Sequence, residues 1–536
     1  LLRDALGIPV PPGHSGALSA EGRDPLTQLV ARFARTHGPF TAAEVAAAFG
    51  LGVATVGLVL ERETAARRLM TGRFTPGRAE PEFVDPEVLR RLRSRSLARA
   101  RAQLQPVSAT GYARFLSASH QLADRPESSP DEVLLALQGL AGAALPASAW
   151  ETHVLPARLR RYSPAHLDAL LAEGEAVIRV RGSAGPNDPL IAIVPADDLD
   201  LVAPPAEPPS EDSRRVAAAL AEGDGTYSAW AAARDTPSPD GVERAAAVDE
   251  WWRAAEEGAI APASMAPVRA RVGGATRGAH KAVRPSPRRR ARLPRLGRMP
   301  LAPGAPPSAT GRWYRVRDPQ PSPADAALAL ASSWLARFGV ITRGGVLADG
   351  VPGGFAAAYR LLAQLESAGK LIRGYLVEGL GGAQFSTQET VGELRGFADS
   401  PDQGEWPSGA THPAPLVLAA LDPANPYGSV LPWPDHPTAR PSRSAGAIVV
   451  LADGVCLAHL TRGGRVLTLF GDARSEDRAA LVVRALQGAV AEGRMSRLRI
   501  EEIDGARPGA GGLEAALLAA GARLTPKGIA IEAPRA

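Results

Sequence analysis

The sequence predicts an α+β protein in which a tandem winged-helix array is followed by a C-terminal, β-barrel-like mixed domain. Two patterns carry this prediction. An apolar helical run, a small-residue stop and a basic β-like run occur together at residues 58–74 and 360–376, and more loosely at 166–182 and 248–265. Near the C-terminus, "AGAIVVLADGVCLAHLTRGGRVLTLF" is typical of a three-strand meander with turns at "ADG" and "RGG". Copies separated by whole-domain distances indicate repeated small domains rather than a solenoid.

The composition is that of a folded protein with several domains. Its 536 residues exceed what one hydrophobic core supports, and 45% hydrophobic against 22% charged residues is ordinary for a globular chain. The single cysteine, Cys456, excludes an intrachain disulfide and a cysteine-based zinc site, so we expect a reducing, cytoplasmic setting. No apolar run is long enough to cross a bilayer, so no membrane partner is expected. The chain begins without methionine, and we expect it to be a segment of a longer protein.

The first unit, residues 1–105, has the clearest local signals. A helix is predicted from about Pro25 to Arg35, and Thr41 with Glu44 forms a capping box at the start of the next helix, which a glycine ends. A third helix is predicted over residues 54–68, and "RLMTGRF" with "EFVD" reads as a two-stranded wing. Three helices followed by a β-hairpin are the winged-helix plan.

Three further winged helices, a linker and the barrel-like domain are predicted along the rest of the chain. The boundaries are 106–205 for the second winged helix, 206–272 for a degenerate third, 273–311 for a basic disordered linker, 312–397 for the fourth and 410–536 for the barrel-like domain. The linker is rich in Pro, Gly and Arg and has no periodicity. The fourth unit repeats the plan of the first most closely.

Basic charge is concentrated in one stretch. From Arg269 to Met299 there are ten arginines and one lysine but no acidic residue, and the rest of the chain is net acidic. Arginines that neutralise DNA phosphates give a steep salt dependence of binding. The arginines with this predicted role are Arg288, Arg289, Arg290 and Arg292. The alternative is a solvated linker without a ligand, and the sequence leaves both open.

The winged-helix units provide a second set of candidate DNA contacts. In such units the third helix enters a groove and cations of the wing contact phosphates. The nucleic-acid-binding residues predicted in the fourth unit are Arg343, Arg360, Lys370 and Arg373. In the first unit the third helix, "ATVGLVLERETA", is largely apolar, which favours a structural module that stacks on its neighbours.

No cofactor is predicted within this chain. The nine histidines are scattered without a ligand spacing beside carboxylates, so no metal site is expected. No G-x-x-x-x-G-K-[ST] phosphate loop occurs, so neither ATP nor Mg²⁺ is expected to bind by that route.

Four stretches resemble a known family. "GPFTAAEVAAAFGL", "VLPARLRRYSPAHLDALLAEGEAVI", "GVPGGFAAAYRLLAQLESAGKLIRGYLVEGLGGAQF" and "DPANPYGSVLPWP" are similar to the C-terminal half of Lhr, the large helicase-related proteins of bacteria. The resemblance implies that the array is joined, in the full protein, to an ATP-dependent 3′–5′ DNA translocase whose motor domains would bind ATP and Mg²⁺. It also implies DNA as the partner, a role in DNA repair and assembly into a homo-oligomer. The same array resembles a family of bacterial winged-helix DNA glycosylases.

The stretch "LAALDPANPYGSVLPWP", Leu418 to Pro434, is a proline-rich turn with one carboxylate. Base excision requires a carboxylate beside a surface that stacks an extrahelical base, which would make Asp422 catalytic and Tyr427 and Trp433 the base-stacking residues. Alternatively, Asp422 caps a turn in a rigid hinge that docks the last domain on the fourth winged helix. The glutamine-centred motif of the winged-helix glycosylases is not evident around Gln384.

Three functions therefore remain open: an accessory DNA-binding region of an Lhr-type helicase, a DNA glycosylase and a structural assembly scaffold. An ordered homo-oligomer is expected because two apolar features would need to be covered. These are the third helix of the first unit and the Trp251–Trp252 pair.

Overall fold

The computed structural model describes most of the chain, in two compact units. The described residues are 5–7, 24–102, 105–202, 207–222, 225–232, 241–274, 305–317, 322–351, 353–398, 414–471, 476–508 and 513–534. The first unit comprises Leu1–Leu104 with Glu366–Ile372, and the second comprises Gln105–Leu365 with Arg373–Ala536. Within the described ranges, no helix is both long and apolar enough to cross a membrane.

The first unit contains a winged helix. Its elements are α1 (Pro25–Thr36), α2 (Ala42–Phe49), α3 (Val53–Ala65), β1 (Met70–Gly72), β2 (Glu82–Val84) and α4 (Pro86–Ala102). The predicted capping box is confirmed: Thr41 Oγ1 accepts a hydrogen bond from Glu44 N, and the Glu44 carboxylate accepts one from Thr41 N. Gly50 ends α2 in the left-handed conformation that favours glycine, with φ at 66°. Val30 and Leu60 lie at the centre of the core.

The second winged helix occupies the start of the second unit. Its elements are α5 (Ala109–Ser119), α6 (Pro130–Leu140), β3 (Leu145–Pro146), α7 (Ala147–Ala149), α8 (Leu155–Arg158), α9 (Pro164–Glu173), β4 (Ala176–Ser183) and β5 (Pro189–Pro195). The three strands form one sheet in the order β3-β5-β4. A π-helical turn, Trp150–Val154, joins α7 to α8.

The third winged helix takes its wing from two distant parts of the chain. Its elements are α10 (Glu211–Glu222), α11 (Tyr227–Ala232), α12 (Gly241–Glu256), β6 (Ile260–Pro262), α13 (Met265–Gly274) and β7 (Trp313–Arg315). β7 pairs antiparallel with β6, with Ile260 opposite Arg315. The boundaries predicted from the sequence placed residues 313–315 in the fourth unit. Local patterns could not reveal this pairing, because the basic stretch separates the two strands.

The Trp251–Trp252 pair is fully buried, so the expectation that it needs covering by another subunit is wrong. The rings of Trp251 and Trp252 pack edge-on against Trp313 of β7, with centroids 5.6 and 5.3 Å away. Trp251 also packs edge-on against Tyr227. The pair is covered within its own chain because the returning strand β7 closes this core.

The fourth winged helix follows. Its elements are α14 (Pro323–Phe338), α15 (Arg343–Ala348), α16 (Gly354–Ser367), β8 (Ile372–Gly374), β9 (Gln384–Ser386) and α17 (Gln388–Arg395). Helix α5 packs on it: the Tyr112 hydroxyl donates to the Phe338 carbonyl over 2.8 Å. The second and fourth winged helices are therefore joined by buried contacts.

One pairing recurs in all four winged helices of the described chain. In each unit a residue just before the second helix pairs with the last strand of the wing or with the residue beside that strand; in the second unit the helix concerned is α7. This pairing closes a small sheet over the helices. The four pairs are Phe40 with Phe83, Leu145 with Ile191, Thr226 with Arg312 and Ile341 with Phe385. In three units a threonine caps the second helix: Thr41, Thr226 and Thr342. In these three units the threonine is the sequence signal that marks the start of the second helix.

The C-terminal domain contains two sheets and two helices. Its elements are β10 (Leu416–Ala419), β11 (Ile448–Ala452), β12 (Val455–Leu460), β13 (Val466–Leu469), α18 (Glu476–Ala491), β14 (Leu498–Ile500), β15 (Glu502–Ile503), α19 (Leu513–Ala519), β16 (Arg523–Thr525) and β17 (Gly528–Ile531). The predicted meander is confirmed as β11-β12-β13. The larger sheet has the order β10-β11-β12-β13-β15 and the smaller β14-β17-β16. Neither sheet closes on itself within the described residues, so the barrel prediction is not confirmed.

Candidate nucleic-acid interface

A large cleft lies where the second, third and fourth winged helices meet the C-terminal domain. Its volume is about 1770 Å³, and all its described lining residues belong to the second unit. The walls come from the wing of the second winged helix, from α10 and β7 of the third and from α14 and α16 of the fourth. Leu421 and Pro423, from the proline-rich turn, complete the lining beside Arg443. The cleft is therefore assembled from all four modules of this unit.

The polar lining of the cleft is predominantly cationic. Three acidic residues, Asp200, Glu207 and Asp349, share it with six arginines. The arginines are Arg181, Arg214, Arg315, Arg337, Arg360 and Arg443. Arginine binds phosphates in a planar, two-pronged geometry and stays charged at any physiological pH. An anionic ligand is the chemistry that this lining favours.

These arginines differ in how far the protein already neutralises them. Arg337 is paired with Asp349 through both guanidinium nitrogens, one at 2.7 Å, and Trp334 Nε1 donates to the same carboxylate. By contrast, Arg214, Arg315 and Arg360 are exposed and form no ion pair with any described residue. Three arginines without an ion-pair partner among the described residues thus line one concave surface.

Arg443 has a structural role at the edge of the cleft. Its guanidinium is buried among backbone carbonyls and donates to Leu421 O, Asn425 O and Tyr427 O, at 3.1, 2.6 and 3.2 Å. Burial lowers the pKa of this guanidinium to about 10. The contacts hold the proline-rich turn in one conformation.

One face of α16 forms part of the cleft wall. Ala357, Arg360, Leu361, Gln364 and Leu365 line it. Their spacing of three and four residues places them on the same side of the helix. α16 is the third helix of its winged helix, the helix that reads DNA in units of this type.

Asp422 is completely buried and paired with an arginine from the second winged helix. Arg158 Nη1 and Nη2 donate to its two carboxylate oxygens, each over 2.8 Å, and both side chains are almost inaccessible. Asp422 Oδ1 also accepts from Ala424 N at 2.9 Å, so its predicted turn-capping role is confirmed. Burial alone would raise the pKa of the Asp422 carboxyl, but the charge and hydrogen bonds of Arg158 outweigh burial and hold the pKa below its usual value.

His120 completes this buried cluster in its neutral form. Its Nε2 lies 2.9 Å from Arg337 O, and its Nδ1 lies 3.1 Å from Arg158 Nη2. The carbonyl only accepts and the guanidinium only donates, so Nε2 carries the proton and Nδ1 accepts. Burial, with the positive charge of Arg158, lowers the pKa of His120 to about 4. The cluster links the second winged helix, the fourth and the C-terminal domain.

The carboxylate of Asp422 points away from the cleft. Its neighbours Leu421 and Pro423 line the cleft, whereas Asp422 itself is not among the described lining residues. Both its oxygens are occupied by Arg158. In this arrangement Asp422 holds the domains together, and a water molecule or a sugar has no access to it.

The other polar groups of the turn are also satisfied internally. Asn425 is buried; its amide donates to Ala420 O at 2.9 Å and accepts from Tyr427 N at 3.2 Å. The Tyr427 hydroxyl donates to Gly454 O, and Trp433 stacks on Phe470 within the C-terminal domain. The two base-stacking candidates, Tyr427 and Trp433, therefore pack against their own domain.

The proline-rich turn contacts the fourth winged helix, as the hinge hypothesis predicts. The backbone of Ser429 lies so close to Gly344 of α15 that a Cβ on Gly344 would collide with the Ser429 carbonyl. A second close approach places Gly454 of the C-terminal domain against Thr110 O of α5. Arg158 adds a contact with the second winged helix that the sequence did not predict.

The predicted nucleic-acid-binding residues lie in different places. Arg360 is in the cleft, and Arg343 and Lys370 are exposed. Arg373 is half-buried and hydrogen-bonded to the Tyr359 hydroxyl. The arginines of the basic stretch lie outside the described residues: Arg288, Arg289, Arg290 and Arg292.

The first two arginines of the basic stretch are paired with carboxylates from other parts of the fold. Arg269 forms four hydrogen bonds to Glu151 and Asp168, and Arg271 pairs with Asp249 at 3.0 Å. These partners are distant in the chain, so counting charges within the stretch could not find them.

Sequence reasoning missed most of the cleft. Arg181, Arg214 and Arg315 belong to three separate elements, and no sequence pattern connects them. The one available signal was that Arg181 and Arg315 lie in or beside wing strands. Gln384 is fully buried and its amide bonds the backbone of Leu376 and Val377, which makes it part of the wing of the fourth winged helix.

Two segments match a family model described as "Large helicase-related protein, winged-helix domain". They are residues 107–196 and residues 320–406. The chain contains two winged-helix domains of the large helicase-related (Lhr) proteins. The resemblance to Lhr inferred from sequence motifs is confirmed.

Two curated Lhr relatives match over almost the whole chain. "Lhr helicase/ probable uracil glycosylase" of Mycolicibacterium smegmatis is 39% identical over 544 residues, covering 99% of this chain and 35% of the relative. "Lhr helicase/uracil glycosylase" of Escherichia coli K12 is 33% identical over 530 residues, covering 94% of this chain and 33% of the relative. The chain thus spans about a third of the length of these Lhr proteins.

One solved structure is also similar in outline. The Streptomyces sahachiroi DNA glycosylase AlkZ aligns over 74% of this chain and 100% of its own, with 14% identity and a TM-score of 0.36. A score this low carries no argument about the fold or the function.

Proposed function

We propose that this chain is the DNA-binding accessory region of an Lhr-type ATP-dependent helicase that acts in DNA repair. The observation that carries the proposal is the arginine-lined cleft between winged helices that belong to the Lhr type. The chain has no phosphate loop, so the proposal assigns ATP and Mg²⁺ to motor domains elsewhere in a full-length Lhr protein.

Binding of labelled single-stranded and duplex DNA, measured by fluorescence anisotropy over a range of salt concentrations, tests this proposal. We expect the logarithm of the affinity to fall linearly with the logarithm of the salt concentration, because arginines release counterions from phosphates. ATP should leave the affinity unchanged. A chain that binds neither DNA form at low salt is not a DNA-binding region.

A second candidate function is base excision. The specific observation in its favour is the name of both curated relatives, which includes uracil glycosylase. A uracil-containing oligonucleotide, incubated with the chain and then cleaved with alkali, tests it. If excision occurs, Asp422→Asn separates two explanations: a catalytic Asp422 requires that activity vanish in protein that is still folded, whereas a structural Asp422 loses activity only together with stability.

Self-assembly is a further part of the proposal and rests on one surface. In the first unit Val53 and Leu58, both on α3, are 53% and 65% exposed. Val53 and Leu58 are the large apolar side chains that this helix leaves exposed, and a contact that covers them is the one we propose. Light scattering should give a mass above 55.8 kDa at micromolar concentration, and Leu58→Lys should return it to the monomer. A monomeric wild-type chain contradicts this part.

A further inference from the structure

We propose that the cleft binds single-stranded DNA along its sugar–phosphate backbone, in preference to a duplex. This inference rests on the proposed DNA-binding function and deepens it by naming the site and the form of DNA. It is carried by the size of the cleft, by the distribution of its charges and by the orientation of α16.

The size of the cleft indicates a polymeric ligand. Pockets for small molecules measure about 300–1,000 Å³. The cleft measures about 1770 Å³ and is walled by residues of four modules. A ligand that fills it contacts three winged helices and the C-terminal domain, as an extended strand can.

The charges are placed for a backbone and not for one phosphate group. Arg214 comes from α10, Arg315 from β7 and Arg360 from α16. Each is exposed and makes no ion pair within the described parts of the chain. Cations spread over separate elements along a groove follow successive phosphates of a strand, which is how proteins hold single-stranded nucleic acid without reading its sequence.

The position of α16 in the wall of the cleft favours a single strand over a duplex. To enter a major groove about 12 Å wide, a helix must protrude from the protein surface. The face of α16 that carries Arg360, Leu361 and Gln364 instead forms the wall of a concave space. A single strand is narrower than a duplex, so it is the form of DNA that this concave face favours.

The remaining lining fits unpaired bases. Leu330, Leu361 and Pro423 provide apolar surface between the arginines. Among the described lining residues the one aromatic side chain is Phe338, and it is buried. Base contacts should therefore be apolar and tolerant of sequence.

The decisive experiment removes the three uncompensated arginines. The variant Arg214→Ala/Arg315→Ala/Arg360→Ala is compared with a matched control, Arg462→Ala/Arg484→Ala/Arg507→Ala, in the full chain. The control arginines are exposed residues of the C-terminal domain and also make no ion pair with described residues. Both variants lose the same charge, so only the position of that charge differs.

On oligothymidine, the cleft variant should lower the slope of log affinity against log salt by up to about 2.1, from roughly 0.7 for each phosphate that a single strand presents to one of these arginines. The control should change that slope by less than the equivalent of one phosphate. Binding of a duplex hairpin should change by no more than the equivalent of one phosphate in either variant. Melting curves check that both variants are folded.

Three results overturn the inference: an unchanged oligothymidine slope in the cleft variant, an equal loss of duplex binding, or tighter binding of oligouridine than of oligothymidine. If the wild-type chain binds no DNA at all, the proposed function itself has failed. Complete absence of DNA binding can be told apart from the three results that overturn the inference, because each of those requires a wild-type chain that binds nucleic acid.

A protection experiment provides an independent test. Cys456 is buried, and burial raises the pKa of its thiol, so a cysteine introduced by Ala357→Cys is the reactive one. Ala357 lies on the cleft face of α16, and the matched position Leu524 is 59% exposed on β16. Oligothymidine should slow alkylation at Ala357→Cys severalfold and leave Leu524→Cys unchanged. Equal alkylation rates with and without DNA at Ala357→Cys contradict the site.

Discussion

At the scale of single residues, the Asp422–Arg158 pair has the greatest energetic consequence. A buried carboxylate–guanidinium pair stabilises a protein little more than an apolar pair of similar size would. Removing one partner, however, leaves the other charge buried and unpaired. From the sequence alone, replacing Asp422 is expected to remove a turn cap and to lower stability by about 1 kcal/mol. The structure changes that expectation because Arg158, 264 residues away, depends on Asp422.

We predict that Asp422→Asn lowers the free energy of unfolding by about 3–5 kcal/mol, because it leaves the Arg158 charge buried and unpaired. Urea unfolding followed by tryptophan fluorescence measures this. The control is Asp435→Asn, an exposed aspartate close by, which should change stability by less than about 0.5 kcal/mol. The double variant Arg158→Leu/Asp422→Leu should be less destabilised than Asp422→Asn. A loss within about 1 kcal/mol for Asp422→Asn would return Asp422 to the role of a simple cap.

The buried histidines predict how stability depends on pH. Burial, with the charge of Arg158 at His120 and of Arg494 at His153, lowers the pKa of both imidazoles to about 4. In the unfolded chain a histidine has a pKa near 6.5, so the unfolded state binds more protons between pH 6.5 and 4. Stability is therefore complete above about pH 6.5 and is lost as the pH falls.

Melting midpoints measured from pH 7.5 to 4.5 should decline below pH 6.5, with each histidine contributing up to about 1.4 kcal/mol per pH unit. His120→Gln keeps a donor and an acceptor but cannot titrate, so it should flatten the decline. His37→Gln, at an exposed position of α1's C-terminal end, should leave the decline as it is. Equal pH profiles for the wild type and His120→Gln would show that His120 is protonated in the folded state at these pH values.

At the scale of secondary-structure elements, the close approach of α15 to the proline-rich turn fixes the C-terminal domain. The turn is held from both sides, by Arg443 on its carbonyls and by Gly344 against Ser429. Prolines reduce the entropy that the turn loses on folding. Glycine is required at position 344 because any Cβ meets backbone, which cannot rotate away as a side chain can.

We predict that Gly344→Ala destabilises the chain by about 1–3 kcal/mol, the usual cost of forcing extra volume into a packed contact. Differential scanning calorimetry measures the shift. The matched control is Gly392→Ala in α17, where an added Cβ meets no atom within 4 Å and alanine is the better helix former. The control should melt at or above the wild-type temperature. A Gly344→Ala chain as stable as this control would show that the turn can withdraw from α15.

At the scale of the whole molecule, charge is distributed between the cleft and the basic stretch. The cleft holds three exposed arginines without carboxylate partners in the described chain, Arg214, Arg315 and Arg360, and the basic stretch contributes Arg288, Arg289, Arg290 and Arg292 outside the described residues. The two sets act on different forms of DNA if the cleft admits only a single strand. Duplex affinity would then depend mainly on the basic stretch.

We predict that replacing those four arginines with alanine lowers the slope of log affinity against log salt on duplex DNA by up to about 3.6, from roughly 0.9 for each phosphate that is no longer neutralised. Anisotropy titrations at several salt concentrations measure the slope. The triple variant of the cleft serves as the comparison, since its effect should be confined to single strands. An unchanged duplex slope would mean that the stretch is a solvated linker.

Local sequence patterns predict the individual units of this protein. The capping box of Thr41 and Glu44, the helix lengths and the β11-β12-β13 meander depend on residues a few positions apart, so propensity and periodicity predict them. The sequence of the proline-rich turn also predicts that Asp422 caps the turn, and it is one of the stretches that resemble Lhr. Each of these interactions closes within one element or one hairpin.

Contacts between residues that are distant in sequence depend on how the modules pack. The partner of Asp422, the return of β7 over Trp251 and Trp252, and the arginines that line the cleft all join residues from separate modules. Closure of the two sheets of the C-terminal domain also depends on which edge strands pair and not on where the strands lie in sequence, and neither sheet closes within the described residues. Such contacts are selected by the packing of whole apolar faces and by the pairing of buried charges, and neither leaves a periodic signal in the chain.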